Sequence, residues 1–425
     1  MRFQDAFGLK LRASLTVWLW ATLCHTGLAH AQGLTTDFLR AQQHDPVYLA
    51  ALIDNEVGKL QARIAGMAYF PEARLSTSQL ENETGSRTTL SITQPILSYD
   101  RWLSLKEAEP RLAMAAVKIE QSQFELAQRM FKAVTALVDA REKLALNVSS
   151  LRALELQVQS SRRSFELGMG TITDVRDSEV RLAQTKSQSF SLEAALSAAE
   201  RQYFAIVGQT PLDRSYPLSK LLRPFRLPAL DEFMQRAEKR NPGVRVSELN
   251  ASLAEISTRR ARAALYPSVV ASVRQSQIGG NPAVSNAGIA LRMEVPLQAG
   301  TVFKGAMADL DLNKTQELAR NAILQVRLDV ERLYRQVEAA QSELVARAEA
   351  IQAAQLSFEA NEQSFKGGVR TQVDVLNALQ ALFQSRSDYS AAQLRLGESL
   401  LNLLVASAED ADLALRQVQD RIFSE

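Results

Sequence analysis

The chain has 425 residues, with Lys+Arg 49 against Asp+Glu 47, and it lacks the basic excess that marks a nucleic-acid partner. One cysteine and three histidines leave the usual nucleophile and metal-ligand patterns without parts, which argues against an enzyme and against a cofactor. No stretch beyond the N-terminus is apolar enough for a spanning helix, so any entry into a bilayer must use strands.

The N-terminus opens with Arg2, Lys10 and Arg12, continues with the short apolar run LTVWLWATL (Leu15 to Leu23) and reaches AHA (Ala29 to Ala31) before Gln32. This is the pattern of a secretory signal peptide over residues 1–31. The apolar run falls short of the roughly 18 to 20 residues a membrane anchor requires. Leu23 stands before Cys24 where a lipoprotein site needs a small residue, which argues against lipidation. Removal of the segment takes the only cysteine with it, together with His25 and His30, so disulfides cannot support the mature chain.

The mature chain is built on one plan used twice, as a first repeat over 32–208 and a second over 231–407. Each opens with a helix whose start is a capping residue followed by proline, Asp45-Pro46 and Asn241-Pro242. Proline ends that helix at Pro71 and Pro267, and the apolar period then changes to two. Strand pairs are predicted at about 73–96 and about 268–297, joined by the turn-rich ENETGS (Glu81 to Ser86) and GGNPAVSN (Gly279 to Asn286). Val269, Ala271 and Val273 share one face, and Ile289, Leu291, Met293 and Val295 share another. Strands of this length with one apolar face suit a membrane barrel, but a small soluble sheet packed on helices has the same alternation.

Long helices are predicted from about Trp102 to Glu166 and from about Phe303 to Lys366, each on the order of 100 Å at 1.5 Å per residue. Every seventh residue is apolar: Met130, Leu137, Leu144, Leu151 and Val158 in the first, Val330, Val337, Leu344, Ile351 and Phe358 in the second. That is a coiled-coil seam. Pro110 is expected to kink the first of these helices. The seam resumes in returning helices at Val175, Leu182, Leu196 and Tyr203, and at Val375, Leu382, Tyr389, Leu396 and Leu403.

Between the outgoing and returning helices stand SFELGMGTITDVR (Ser164 to Arg176) and SFKGGVRTQVDVL (Ser364 to Leu376), in register at an offset of 200 positions. The turns, at about 167–173 and 367–371, need residues that tolerate positive φ, which Gly168, Gly170, Gly367 and Gly368 can supply. Thr171 and Thr371 are placed to cap the returning helices, with Asp174 and Asp374 in the first turn. Between the repeats, residues 209–230 carry Pro211, Pro217, Pro224 and Pro228 and form a linker or equatorial belt; residues 408–425 are a C-terminal tail.

The expected fold class is an α+β membrane protein: a long antiparallel coiled-coil helical barrel continuous with a transmembrane β-barrel to which each chain gives four strands. Four strands cannot close a barrel, and open edges in lipid leave backbone groups unpaired, so copies must pool their strands around a lumen. The competing expectation is a soluble periplasmic coiled-coil adaptor or scaffold, which requires the apolar strand faces to be buried in protein.

The doubled layout and the two tip motifs resemble the TolC-type outer-membrane channels of efflux pumps and type I secretion systems, over essentially all of the mature chain. The resemblance implies a homotrimer in the outer membrane of a Gram-negative bacterium, with a twelve-stranded barrel and a periplasmic tunnel. It implies a periplasmic membrane-fusion adaptor, an inner-membrane ABC or proton-driven exporter, and passive export of proteins or small molecules through an iris-like opening. By the same resemblance Arg370 binds Thr173 and Asp174 of a neighbouring tip as a periplasmic gate, Asp374 lines the pore, and the tip residues, Met169 and Val369 among them, contact the adaptor. Phe365 stands where the family can have a tyrosine that joins the lock, and Asn377 where a second pore carboxylate can occur.

Overall fold

A computed structural model describes residues 33–79, 86–212, 215–219, 225–263, 265–278, 284–295 and 299–423. The expected signal segment 1–31, most of both turn-rich connectors, and Pro224 lie outside the described residues. In chain order the elements are α1 Leu34–His44, α2 Pro46–Gly66, β1 Glu72–Gln79, β2 Ser86–Leu97, α3 Tyr99–Lys106, α4 Ala108–Glu166 and α5 Ile172–Val207. They continue with α6 Leu230–Arg240, α7 Pro242–Ala263, β3 Ser268–Ile278, β4 Val284–Glu294, α8 Ala299–Lys366, α9 Gln372–Ala406 and α10 Ala411–Ile422.

The helix starts are set by the residues that satisfy their free amides. Asp45 accepts from the Tyr48 amide at 2.7 Å and also receives Arg129 at 2.8 Å, while Pro46 occupies the first position of α2, where no amide is needed. Asn241 accepts from the Gly243 amide at 2.9 Å at the start of α7. α8 runs unbroken for 68 residues. The first long helix carries a one-residue interruption between α3 and α4 at Glu107, which keeps a right-handed helical conformation, and Pro110 sits within the first turn of α4. A proline has no amide to offer the carbonyl four residues earlier, here Lys106, and its ring crowds that carbonyl, so the hydrogen-bond ladder is interrupted there, as expected of Pro110.

The four strands form one antiparallel sheet in the order β1-β2-β3-β4, leaving β1 and β4 as open edges. Register places the apolar residues opposite one another: Leu75 faces Leu90, Ile92 faces Val273, Val273 faces Ile289, and Ala271 faces Leu291. The other face carries Arg74, Ser91, Ser272, Arg274, Ala290 and Arg292. The apolar face is uncovered, with Ile289 85% and Leu291 74% exposed. The expectation of a soluble sheet packed on helices is therefore corrected.

Beneath the sheet the helices repeat its order: α2 lies along α4, α4 along α7 and α7 along α8, so α2 and α8 are the outer members. Arg260 of α7 binds Asp100 at 2.9 Å and Glu107 at 2.8 Å, tying α7 to α3 and the start of α4. Burial pushes the Glu107 carboxyl up, but Arg260 and Arg111 outweigh it and hold the group below the usual carboxylate value.

Farther from the sheet, α4 pairs with α5 and α8 with α9. The heptad seams are buried there, with Met130, Leu137, Val330, Val337 and Leu403 fully inaccessible. One large core joins α1, α2, α4, α5, α6, α8, α9 and α10 at the level of the belt. Residues 408–425, a tail on sequence grounds, carry α10, whose Ala414, Leu415, Val418 and Ile422 are completely buried in this core. The belt residue Leu218 bridges Phe423, and the hydroxyls of Tyr216 and Tyr203 both donate to the buried Asp37 carboxylate. Desolvation, followed by the hydrogen bond to Asp37 for Tyr203 and by the Asp37 charge for Tyr216, pushes both phenols well above the ordinary tyrosine value, so they stay protonated as donors.

Leu415→Ala should cost about 2–5 kcal/mol, whereas Leu413→Ala, at a half-exposed site on the same helix, should cost less than about 1 kcal/mol. Thermal unfolding of the two variants against the parent checks the difference.

Candidate functional site at the hairpin tips

The two tips are one structure made twice. Each outgoing helix ends in a pair of backbone bonds: Gly168 donates to the Phe165 carbonyl at 2.9 Å and Met169 to the Ser164 carbonyl at 2.8 Å. At the second tip Gly368 donates to Phe365 at 2.9 Å and Val369 to Ser364 at 2.9 Å. This Schellman closure requires a left-handed residue, and Gly168 and Gly368 take it, at φ +70° and +72°.

Gly170 and Gly367, expected to share that role, do not have positive φ. Gly170 is small for another reason: a Cβ there would lie 3.2 Å from the Ser164 side chain.

The returning helices begin on matching capping boxes. The Asp174 carboxylate accepts from the Thr171 amide at 2.9 Å and hydroxyl at 2.7 Å, and the Asp174 amide donates back to the Thr171 oxygen at 3.2 Å. Thr371 and Asp374 repeat this at 3.0, 2.8 and 3.3 Å. The Asp374 carboxyl is held below its ordinary value, first by the Thr371 backbone amide, then by the Thr371 hydroxyl, with a smaller contribution from the Arg370 charge.

Met169 and Val369 project at the very ends, 74% and 81% exposed. Thr173 and Arg370 are also exposed, and within one chain no hydrogen bond or ion pair joins Arg370 to Thr173 or Asp174. Phe165 is partly exposed and Phe365 half-buried, and neither side chain has a hydroxyl to offer.

Asn377 is engaged in a way its position in the sequence does not announce. It accepts from Arg181 of α5 at 3.0 Å, and the same guanidinium donates to Gln380 at 2.6 Å. Beside this fork, buried Ser178 contacts Ser161 at 3.2 Å and Gln372 at 3.4 Å. These residues were open to sequence reasoning as polar side chains at seam positions: Ser161 follows Leu154 and Val158, and Gln372 precedes Val375 and Leu379, at steps of three and four.

An open sheet with one bare apolar face is continued in this chain by two long helical hairpins. The chain belongs to the outer membrane efflux protein family, whose model matches residues 39–209 and 233–409. It is 26% identical over 409 residues to the proteases secretion protein PrtF of Dickeya chrysanthemi, covering 89% of this chain and 88% of that one. It is 23% identical to the alkaline protease secretion protein AprF of Pseudomonas aeruginosa, covering 86% and 82%. Among solved structures the outer membrane protein VceC of Vibrio cholerae superposes with a TM-score of 0.72 at 17% identity, covering 88% of this chain and 96% of that one. The CmeC outer membrane channel of Campylobacter jejuni does so at 0.74 and 13%, covering 91% and 89%. The protein is thus an export channel of the outer membrane, with its helices extending into the periplasm.

Because the folded Asp374 carboxyl ionises below its unfolded value, its stabilisation of α9 is complete above the ordinary carboxylate range and is lost as pH falls through the lowered value. Amide exchange in the first turn of α9, followed through an acid titration, should show this loss in the parent and a flat response in Asp374→Asn. Gly368→Ala should cost about 1–2 kcal/mol by forcing a side chain into the left-handed conformation, read as faster exchange at the second tip.

Proposed function

We propose that three copies of this chain close a twelve-stranded barrel and a continuous periplasmic tunnel, and that the tunnel passes polypeptides received from an inner-membrane exporter through a periplasmic adaptor. The observation that carries the reading is the sheet, bare on its apolar face and open at β1 and β4. In lipid each unpaired edge group costs several kcal/mol, which closure with identical neighbours removes.

The helices support the same closure. On α2, Ile53, Val57, Leu60 and Ile64, followed by Met67 just past its end, recur at alternating steps of four and three and are exposed. On the sheet-proximal part of α8, Phe303, Met307 and Leu310 do the same. These are the two outer members of the helix row, so a ring that joins β4 to the next β1 also joins one seam to the other. At the base of the sheet Tyr99 stacks on Trp102 at 5.6 Å and meets Tyr266 edge-on at 5.6 Å, a cluster suited to the membrane–water interface.

In this reading the two halves are an internal repeat, and the tips form the periplasmic entrance. Arg370, free of ion pairs with the described residues of its own chain, bonds Thr173 and Asp174 of the neighbouring protomer and holds the entrance shut. Asp374 becomes a ring of three carboxylates that favours cations. Met169 and Val369 offer apolar contacts to the adaptor. The names of the PrtF and AprF relatives, both for protease secretion, support proteins as the cargo and a type I system as the setting.

Val57→Asp should abolish heat-resistant oligomers in the outer-membrane fraction and, with them, ion conductance in planar bilayers. Parent protein that is monomeric and soluble without detergent would overturn the ring. In assembled protein, Arg370→Ala should raise single-channel conductance or the entry of large antibiotics, and unchanged values would remove Arg370 from the gate.

A further inference from the structure

Every charged side chain of the four strands lies on one face of the sheet. β1 carries Glu72 and Arg74, β2 Arg87, β3 Arg274, and β4 Arg292 and Glu294, and the register puts all six on the side opposite the apolar residues. The arginines fall in three rows across the strands. Arg87 stands opposite Ile278; Arg74, Ser91, Arg274 and Gly288 make the next row; Pro95, Val270 and Arg292 make the last. On β2 the rows pass through residues 87, 91 and 95, so they are about 14 Å apart at roughly 3.4 Å per residue.

The glutamates are confined to the end that joins the helices, where Glu72 is the first residue of β1 and Glu294 the last of β4. There Glu72 pairs with Arg74 at 3.0 Å and Glu294 with Arg292 at 3.5 Å. Farther out, Arg87 and Arg274 are exposed and make no ion pair among the described residues. The row neighbours of Arg274, Ser91 and Gly288, are small and leave its guanidinium uncovered.

We propose that this face lines the bore with a stepped series of anion sites, and that its partner is an acidic polypeptide whose carboxylates pass from one arginine row to the next. The inference rests on the proposed ring and adds the charge of the cargo to it. An arginine facing lipid costs about 2–4 kcal/mol at the bilayer midplane, so the charged face of a closed barrel is the wet one. The wall then carries four arginines against two glutamates from each chain. Guanidinium groups hold carboxylates through paired N–H donors, and a lining of one sign concentrates counter-ions, which is how basic residues select anions in pores. With a Debye length of about 8 Å at physiological ionic strength, the field is confined to the wall and acts on a chain that slides along it. Rows about 14 Å apart let an extended segment of about five residues touch two at once, so release from one row is offset by binding at the next.

The test uses the mature protein, purified as its heat-resistant oligomer and placed in planar bilayers, with poly-L-glutamate added on the barrel side, away from the tips. It should block the parent's current at concentrations where poly-L-lysine does not, and the block should fade as salt is raised. Arg274→Gln combined with Arg87→Gln should raise the half-blocking concentration about tenfold and shift the reversal potential in a salt gradient toward cations. Arg274→Lys with Arg87→Lys, which keeps the charge, should retain most of the block. In assembled protein Arg274→Cys should react with a membrane-impermeant thiol reagent, and Ile289→Cys should not. Equal block by the two polymers in the parent, a comparison that needs no variant, overturns the inference, as does equal block of the parent and the double glutamine variant; a conducting parent keeps the channel function in both cases. Labelling of Ile289→Cys without Arg274→Cys also overturns it, because the charged face would then lie outside the bore. If the assembled parent fails to conduct, the channel function falls and takes the lining with it.

Discussion

A backbone amide or carbonyl that faces hydrocarbon has nowhere to bond except to another peptide group. In this chain that constraint acts on a sheet of four strands whose outer two present unpaired edges while one face is apolar and bare. A soluble fold would lay a helix over such a face, and here the long helices run away from it instead. Everything below the sheet keeps its order: β1 continues into the α2 side, β4 into the α8 side, and both flanking helices carry exposed apolar residues at coiled-coil spacing. The proposed ring is the arrangement in which strand edges and helix seams find partners in the same step.

The interior of the chain is packed unevenly, and the unevenness suits the proposed opening at the tip end. Around the belt eight helices bury a continuous apolar core, and the C-terminal helix and the Asp37–Tyr203–Tyr216 cluster fasten the linker across it. Toward the tips the apolar seams give way to serine, glutamine and asparagine. Regions that must move are drawn from the less stable part of a structure, where few apolar contacts oppose separation and polar groups can exchange protein partners for water. The paired capping boxes have a different role. They satisfy the free amides of the first turn of each returning helix and so fix where the tip turn ends.

Much of the architecture could be read from the order of residues. Periods of two and of seven, Asp45-Pro46 and Asn241-Pro242, and the Thr171–Asp174 and Thr371–Asp374 pairs are local signals, and strands, helices and caps formed where those signals stood. Pro110 was legible as an interruption, but its place was not. The effect appears four residues upstream, at the carbonyl its ring obstructs, and the interruption falls at Glu107. The glycines divide for a similar reason: four were equally able to adopt positive φ, but a Schellman closure has one left-handed position, and only Gly168 and Gly368 occupy it.

By itself the amino-acid order determined the long helices, the strands, the caps and the alternation that makes the sheet half apolar, because each depends on residues within a turn or two of one another. Tertiary structure alone decided that the sheet's apolar face is left bare, that residues 411–422 fill the belt core, that Asp37 gathers two tyrosines, and that Arg181 meets Asn377 and Gln380. Those contacts join groups on the order of 200 positions apart or more in several cases, and no local period records which distant helix will lie alongside.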